Sequence, residues 1–121
     1  IKALKRGETT AILPDQQPGP NSGILVPFMG VPVPTMTLVT NLINRTASRA
    51  LLATALREPG GWRIVFLAVS EGLYSDDQAA AVSALNQDVA RIVALAPEQY
   101  QWEYKRFRGQ AGGRDIYAKK P

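Results

Sequence analysis

The sequence predicts one domain of the α/β class, a mixed sheet flanked by helices in the order strand, loop, helix, strand, strand, helix. Three observations support this fold. The run 62–69 is continuously apolar and β-prone, the segment 75–96 carries a helical apolar stripe, and a short apolar run at 9–13 leads into a Pro/Gly-rich loop. We expect the domain to occupy residues 1–108 and to leave 109–121 as a flexible basic tail.

The missing residue types restrict the chemistry of the chain. It contains no histidine and no cysteine, so it can form no Ser-His-Asp or Cys-His arrangement and no thiolate zinc site. We expect neither a metal nor a cofactor. The net charge of +4 comes from basic clusters at the two ends and favours an anionic partner, whether membrane surface, nucleic acid or acidic protein. A solvated basic surface is the simpler alternative.

The N-terminal part predicts a helix end, a strand and a loop. Ile1–Arg6 has the pattern of the last turns of a helix, and Gly7 occupies the position at which helices commonly end. Because that helix has no start signal, we expect the chain to be the C-terminal part of a longer polypeptide. Thr9–Leu13 predicts a buried strand, and the breakers in 15–22 predict the loop that follows it.

The next stretch predicts irregular structure and then a helix. Ile24–Phe28 is a candidate for a short extended segment, after which three prolines predict no regular structure as far as Thr35. Apolar residues recur every three or four positions in 35–45, which predicts a helix with Pro34 in its first turn. This helix would connect strands 9–13 and 48–57 as a right-handed crossover, giving a parallel pair.

A hairpin follows the predicted crossover. The strands 48–57 and 62–69 are separated by the short turn Glu58–Gly61, which predicts an antiparallel pair. The continuous apolar run of the second strand predicts that both of its faces are covered.

The amphipathic helix near residue 80 has clear limits. Ser75 and Gln78 form a capping-box pattern at its start, and Pro97 marks its end. The predicted buried stripe consists of Val82, Leu85, Val89, Ile92, Val93 and Ala96. The opposite face, which includes Asn86, is predicted to be solvated.

Asp15 is the leading candidate for a functional carboxylate, with Gln16 as the amide beside it. It stands where an apolar strand enters the loop, and in open α/β sheets ligands bind at the carboxyl ends of strands. The carboxylate could position a substrate hydroxyl or amine, or orient a cationic side chain. The alternative is a turn residue that bonds its own backbone.

Aromatic and basic residues alternate in 100–108, called here the aromatic-basic segment. Such a segment can grip single-stranded nucleic acid by stacking and phosphate contacts. It can also sit at a membrane interface and meet anionic head groups. The third possibility is a C-terminal helix whose Trp102 and Phe107 belong to the core and whose bases are solvated.

Several short motifs occur together and in a fixed order. They are Gly7-Glu8, Leu13-Pro14-Asp15-Gln16, Val26-Pro27-Phe28-Met29-Gly30, Thr35-Met36-Thr37, Ala96-Pro97-Glu98-Gln99-Tyr100-Gln101-Trp102 and Lys105-Arg106-Phe107. With them the chain, from about Gly7 to Arg108, resembles the C-terminal half of the bacterial lipid A biosynthesis acyltransferases. These are the lauroyl and myristoyl transferases of the lysophospholipid-acyltransferase-like superfamily.

The resemblance implies an O-acyltransferase that moves a fatty acyl chain from acyl-carrier protein to a hydroxyl of a lipid A precursor. Such an enzyme would work at the cytoplasmic face of the inner membrane. The family's catalytic pair is a His with an acid five residues later, in the N-terminal half. We therefore expect no catalytic residue in this segment and no activity from it alone. The alternative function is a basic, non-enzymatic module that binds membrane or nucleic acid.

The resemblance also gives the candidate site residues their roles. It assigns Asp15, and Gln16 with it, to acceptor binding. The bases Lys105, Arg106 and Arg108 become candidates for contact with anionic lipid phosphates and with the acidic carrier protein. The implied partners are the carrier protein, the lipid A precursor and the membrane surface, without nucleic acid.

Overall fold

The computed structural model describes residues 1–109 and 116–117, so most of the predicted tail 109–121 lies outside the described residues. The elements are α1 (Lys2–Lys5), β1 (Gly23–Phe28), β2 (Val31–Met36), α2 (Leu38–Thr46), β3 (Leu51–Glu58), β4 (Gly61–Ala68) and α3 (Gln78–Val93). The predicted α/β class is confirmed. The strands, however, form two separate antiparallel hairpins, β1–β2 and β3–β4, instead of one mixed sheet with a parallel pair.

The hairpin β1–β2 occupies a stretch that was predicted to be irregular. Its turn, Met29-Gly30, has φ values of 49° and 81°, as a two-residue hairpin turn of type I′ requires. Pro27 lies opposite Pro32, and Pro34 follows two residues later on β2. A pair of prolines cannot exchange ladder hydrogen bonds, so all three prolines occupy non-hydrogen-bonded positions, where their missing N–H groups point outward. The prediction was wrong because strand pairing tolerates proline at these positions.

Two further predictions, the strand at 9–13 and the start of the helix that follows the first hairpin, are wrong. Residues 9–13 form no strand, and Leu13 is 65% exposed. β-prone residues form a strand only when a neighbouring strand pairs with them, and no such neighbour exists within the described chain. Helix α2 begins at Leu38, later than predicted, because Pro34 belongs to β2 and not to the first helical turn. The predicted helix end is confirmed, since Gly7 has a φ of 82°.

The hairpin β3–β4 agrees with the prediction in its antiparallel pairing and its turn. Leu51 lies opposite Ala68 and Glu58 opposite Gly61, with Gly60 at a φ of 86° in the turn. Leu52 and its neighbour Leu56 are buried on one face. The other face of β4 is exposed, so the predicted cover on both faces is not found among the residues that the structure describes.

Helix α3 packs against both hairpins and organises the core. Its N-cap is Asp77, whose carboxylate accepts the backbone N–H groups of Ala79 and Ala80 at 2.9 and 3.3 Å. The capping-box prediction at Ser75 was therefore wrong by two residues. The two buried clusters that include α3 consist of Phe28, Val33, Val89 and Val93, and of Ile43, Leu73 and Leu85. In the described part of the chain, no helix has both the length and the apolar character needed to cross a bilayer.

Candidate functional site

A buried polar network joins α3 to the first hairpin. The Thr35 hydroxyl oxygen accepts hydrogen bonds from Asn86 Nδ2 and from Arg106 Nη2, each at 2.9 Å. The carbonyl of Pro27 accepts a second bond from Asn86 at 3.0 Å, and the carbonyl of Pro34 accepts one from Arg106 at 2.7 Å. Asn86, predicted to be solvated, is 1% exposed because these outward-facing carbonyls need donors.

Arg106 occupies the centre of this network. Its side chain is 1% exposed, and its guanidinium carbon lies 5.4 Å from the centre of the Phe28 ring. Burial lowers the pKa of the guanidinium, while the charges of Tyr100 and Asp15 act in the opposite direction. Its Nε–H has no hydrogen-bond partner among the described residues. Such a position does not fit the predicted surface contact with lipid or carrier protein, and Arg106 instead fixes the aromatic-basic segment to the hairpin.

Asp15 is half-buried and lies close enough to Tyr100 and Arg106 to act on both electrostatically. Burial raises the pKa of the Tyr100 hydroxyl well above its ordinary value, and the negative charge of Asp15 raises it further. Within ordinary hydrogen-bond geometry, Tyr100 Oη has no partner in the described chain. The structure therefore brings Asp15 together with Tyr100 and Arg106.

Gln17 links the Asp15 loop to the aromatic-basic segment. Its backbone N–H donates to Tyr104 Oη at 2.7 Å, and its side-chain Nε2 donates to the carbonyl of Arg108 at 2.6 Å. Gln16 is exposed. The sequence presents two adjacent amides, and only the path of the loop decides which of them faces the segment.

An open cavity of about 320 Å³ lies between this loop and the segment. It is lined by Gln17, Glu103, Tyr104, Lys105 and Arg108. The side chains of Lys105 and Arg108 are exposed. Two cations and a hydroxyl group suit a phosphate or a carboxylate, while the Glu103 carboxylate in the same lining opposes an anion. Within 1–109 and 116–117, no group of three or more acidic side chains is placed to hold a metal ion.

The aromatic rings of the segment are largely engaged within the protein. Tyr100 meets Trp102 edge-on at 4.8 Å, and Phe107 stacks on Phe28 at 5.7 Å. The Trp102 indole N–H donates to the carbonyl of Pro97 at 2.7 Å. The segment consists of turns and not of the helix considered above. Phe107 packs on the core as that alternative predicted, whereas Trp102 is 47% exposed and Arg106 is buried, contrary to it.

The comparisons with known proteins connect this site to a family. A family model described as bacterial lipid A biosynthesis acyltransferase matches residues 1–109, which is most of the chain. The chain belongs to this family. The resemblance seen in the sequence motifs is thereby confirmed.

Individual members of the acyltransferase family match almost the whole chain. The lipid A biosynthesis lauroyltransferase of Escherichia coli K12 is 31% identical over 116 residues, covering 93% of this chain and 38% of the relative. The palmitoleoyltransferase of the same organism is 29% identical over the same coverage. A lipid A biosynthesis acyltransferase of Haemophilus influenzae is 24% identical and covers 97% and 37%, respectively. The chain thus spans less than two fifths of the length of these relatives.

Proposed function

We propose that this chain is part of an O-acyltransferase that moves a fatty acyl chain from acyl-carrier protein to a hydroxyl of a lipid A precursor. The observation that carries the proposal is the family match over residues 1–109. The names of the relatives support the transfer of an acyl group and a role in lipid A biosynthesis. The proposed location is the cytoplasmic face of the inner membrane, where the precursor and the carrier protein would meet.

In the proposed reaction the acceptor hydroxyl oxygen attacks the thioester carbonyl carbon. The new C–O bond forms, the C–S bond breaks, and the hydroxyl proton passes to a general base. The base then gives this proton to the departing sulfur, so that the carrier protein leaves as a thiol. The chain contains no histidine to act as that base. We assign the base to sequence outside these 121 residues, and we expect the chain by itself to be inactive.

The residues of this chain would act on the acceptor side. Asp15, whose charge acts on Tyr100 and Arg106, would accept a hydrogen bond from a polar group of the precursor. The cations Lys105 and Arg108, at the neighbouring cavity, would hold a phosphate of the precursor or steer the acidic carrier protein. The hydrogen bonds of Gln17 to Tyr104 and to the Arg108 carbonyl hold the Asp15 loop against the segment that carries these cations.

A chimaera provides the test. In it, the 116 matched residues of the E. coli lauroyltransferase are replaced by those of this chain, and transfer of a labelled lauroyl group from acyl-carrier protein is measured. We expect activity in the chimaera, and a kcat/KM about 10- to 100-fold lower after Asp15→Ala, which corresponds to the loss of a hydrogen bond to a charged group. Asp15→Asn should recover part of the loss if the hydrogen bond matters more than the charge.

Two controls accompany this measurement. Asn44→Ala changes an exposed polar residue of α2 and should leave the rate unchanged. The thermal unfolding midpoint of Asp15→Ala must stay close to that of the parent, so that the loss of rate is not a loss of fold. Near-normal turnover in Asp15→Ala would remove Asp15 from the acceptor site, and an inactive but folded parent chimaera would count against the proposed function.

The alternative function is the basic, non-enzymatic binding module. Single-stranded oligonucleotides and anionic liposomes, titrated against the chain at several salt concentrations, separate the two possibilities. Tight oligonucleotide binding with a steep salt dependence would favour the alternative. We expect weak oligonucleotide binding, because the rings of Tyr100, Trp102 and Phe107 already contact other rings of the domain.

A further inference from the structure

The outer face of the hairpin β3–β4 is apolar and unusually exposed. Residues directly opposite each other in an antiparallel pair share a face, so the register defines this surface. The outer face consists of Leu51, Ala53, Ala55 and Arg57 of β3 and Trp62, Ile64, Phe66 and Ala68 of β4. Its four large side chains are 71% (Leu51), 62% (Trp62), 57% (Ile64) and 65% (Phe66) exposed.

The opposite face of the same hairpin is already part of the core. Leu52 and Leu56 are 7% exposed, and they lie on the side of β3 that faces α3. A sheet with apolar residues on both faces is typical of a layer covered on both sides, whereas a sheet with one solvated face alternates apolar and polar residues. An isolated two-stranded hairpin is also marginally stable in water. The apolar residues on both faces of β3–β4 therefore indicate that a second layer covers the outer face.

The shape and the edges of the hairpin agree with a protein layer as the cover. On the outer face the small residues Ala53 and Ala55 lie directly opposite the large Phe66 and Ile64, so the large apolar side chains are concentrated on β4. The free edge of β3 is partly closed by the side chain of Gln99. Its Oε1 accepts a hydrogen bond from the backbone N–H of Arg57 at 2.7 Å, and its Nε2 donates to the Arg57 carbonyl at 3.1 Å. The outer edge of β4 has no strand neighbour in the part of the chain that the structure describes.

The relatives indicate where such a layer would come from. They are more than twice as long as the matched segment, which covers 38% of the E. coli lauroyltransferase. We propose that the outer face of β3–β4 is the surface on which the remaining part of the acyltransferase polypeptide packs, with an apolar layer over Ile64 and Phe66. This inference rests on the proposed function, because the occupant is the part of the enzyme that would supply the catalytic base. The hairpin would then lie between the part of the enzyme that binds the acceptor and the part that supplies the catalytic base.

Cysteine accessibility tests the inference in both the 121-residue chain and the chimaera. The chain has no cysteine of its own, so Phe66→Cys introduces a unique thiol once any cysteines of the relative are changed to serine. We expect maleimide to react at position 66 at least about tenfold more slowly in the chimaera than in the isolated chain, because a packed site reacts only through local opening. Ala53→Cys, opposite Phe66, is a second variant that changes little volume.

The control and the competing occupants complete the design. Asn44→Cys, on an exposed position of α2, should react equally in both proteins. Equal reactivity at position 66 in both would overturn the inference. So would a dimer of the chimaera in sedimentation equilibrium that Phe66→Lys dissociates, or binding of the chimaera to anionic liposomes that Phe66→Lys abolishes. Those results would assign the face to a second copy or to lipid.

The acyl-transfer assay keeps the two proposals apart. A chimaera that protects position 66 but transfers no acyl group contradicts the proposed function and leaves the packing inference intact. A chimaera that transfers the acyl group while position 66 stays fully reactive contradicts only the packing inference.

Discussion

Replacing Arg106 by methionine should destabilise the domain far more than the same change at Arg108. Arg106 is buried and donates to the Pro34 carbonyl at 2.7 Å and to the Thr35 hydroxyl oxygen at 2.9 Å. Arg108 has an exposed side chain. Because both changes are chemically identical, the difference between them isolates the effect of the buried network.

The expected magnitude follows from these contacts. Each hydrogen bond from a charged donor contributes about 1.5–3 kcal/mol, and the contact with the Phe28 ring adds about 1 kcal/mol. The change also removes a buried charge, which returns part of the desolvation cost. A net loss of about 3 kcal/mol in the free energy of unfolding is expected for Arg106→Met, and less than about 0.5 kcal/mol for Arg108→Met.

Urea unfolding followed by circular dichroism measures both losses. With a slope of about 1.5 kcal/mol per M for a chain of this size, the midpoint should fall by roughly 2 M for Arg106→Met. Arg106→Lys keeps the charge but not the planar fork, so about 2 kcal/mol should be lost and the protein should remain folded. A loss below about 1 kcal/mol for Arg106→Met, or equal losses at both arginines, would refute the assignment of Arg106 to the interior.

Two other predictions concern the helix start and the alkaline limit of stability. Asp77→Ala should cost about 1 kcal/mol because it removes the N-cap of α3, whereas Asp76→Ala, at an exposed neighbouring position, should cost little in the same urea experiment. The folded-state pKa of Tyr100 is raised, so its contribution to stability is complete below the unfolded value near 10 and is lost as the pH rises towards the folded value. Tyr100→Phe should flatten that alkaline loss of stability. Asp15→Asn should lower the pKa of Tyr100 only in part, because burial is the larger cause of its rise. The absorbance of tyrosinate in an alkaline titration measures this pKa.

The parts of the fold that the sequence predicted depend on local patterns. The β3–β4 hairpin has a strong turn signal between two β-prone runs, and the apolar stripe of α3 repeats at helical spacing. The hairpin β1–β2 was missed because proline is a local obstacle to β structure, and only the pairing partner shows whether a missing N–H points inward or outward. The strand predicted at 9–13 failed for the opposite reason, since its local pattern is favourable but it has no partner among the described residues.

The candidate site shows the same division between local and distant information. Asp15 could be chosen from its place in the loop, and in the structure its charge acts on Tyr100 and Arg106, while its role at a substrate stays a prediction. The three bases of the aromatic-basic segment look alike in sequence, but Arg106 is buried while Lys105 and Arg108 are exposed. No local sequence pattern distinguishes Arg106 from the other two bases. Its burial depends on the Pro34 carbonyl and the Thr35 hydroxyl, about 70 residues earlier in the chain.

The three prolines of the first hairpin also act against mispairing. If one strand shifted by a single residue, prolines of at least one strand would turn towards the partner and break the ladder where hydrogen bonds are required. The same shift would turn one of two carbonyls away from its donor, that of Pro27 from Asn86 or that of Pro34 from Arg106, depending on the strand that shifts. The residues that seemed to forbid a strand therefore exclude the nearest wrong registers of the hairpin and keep the acceptors of Asn86 and Arg106 in place.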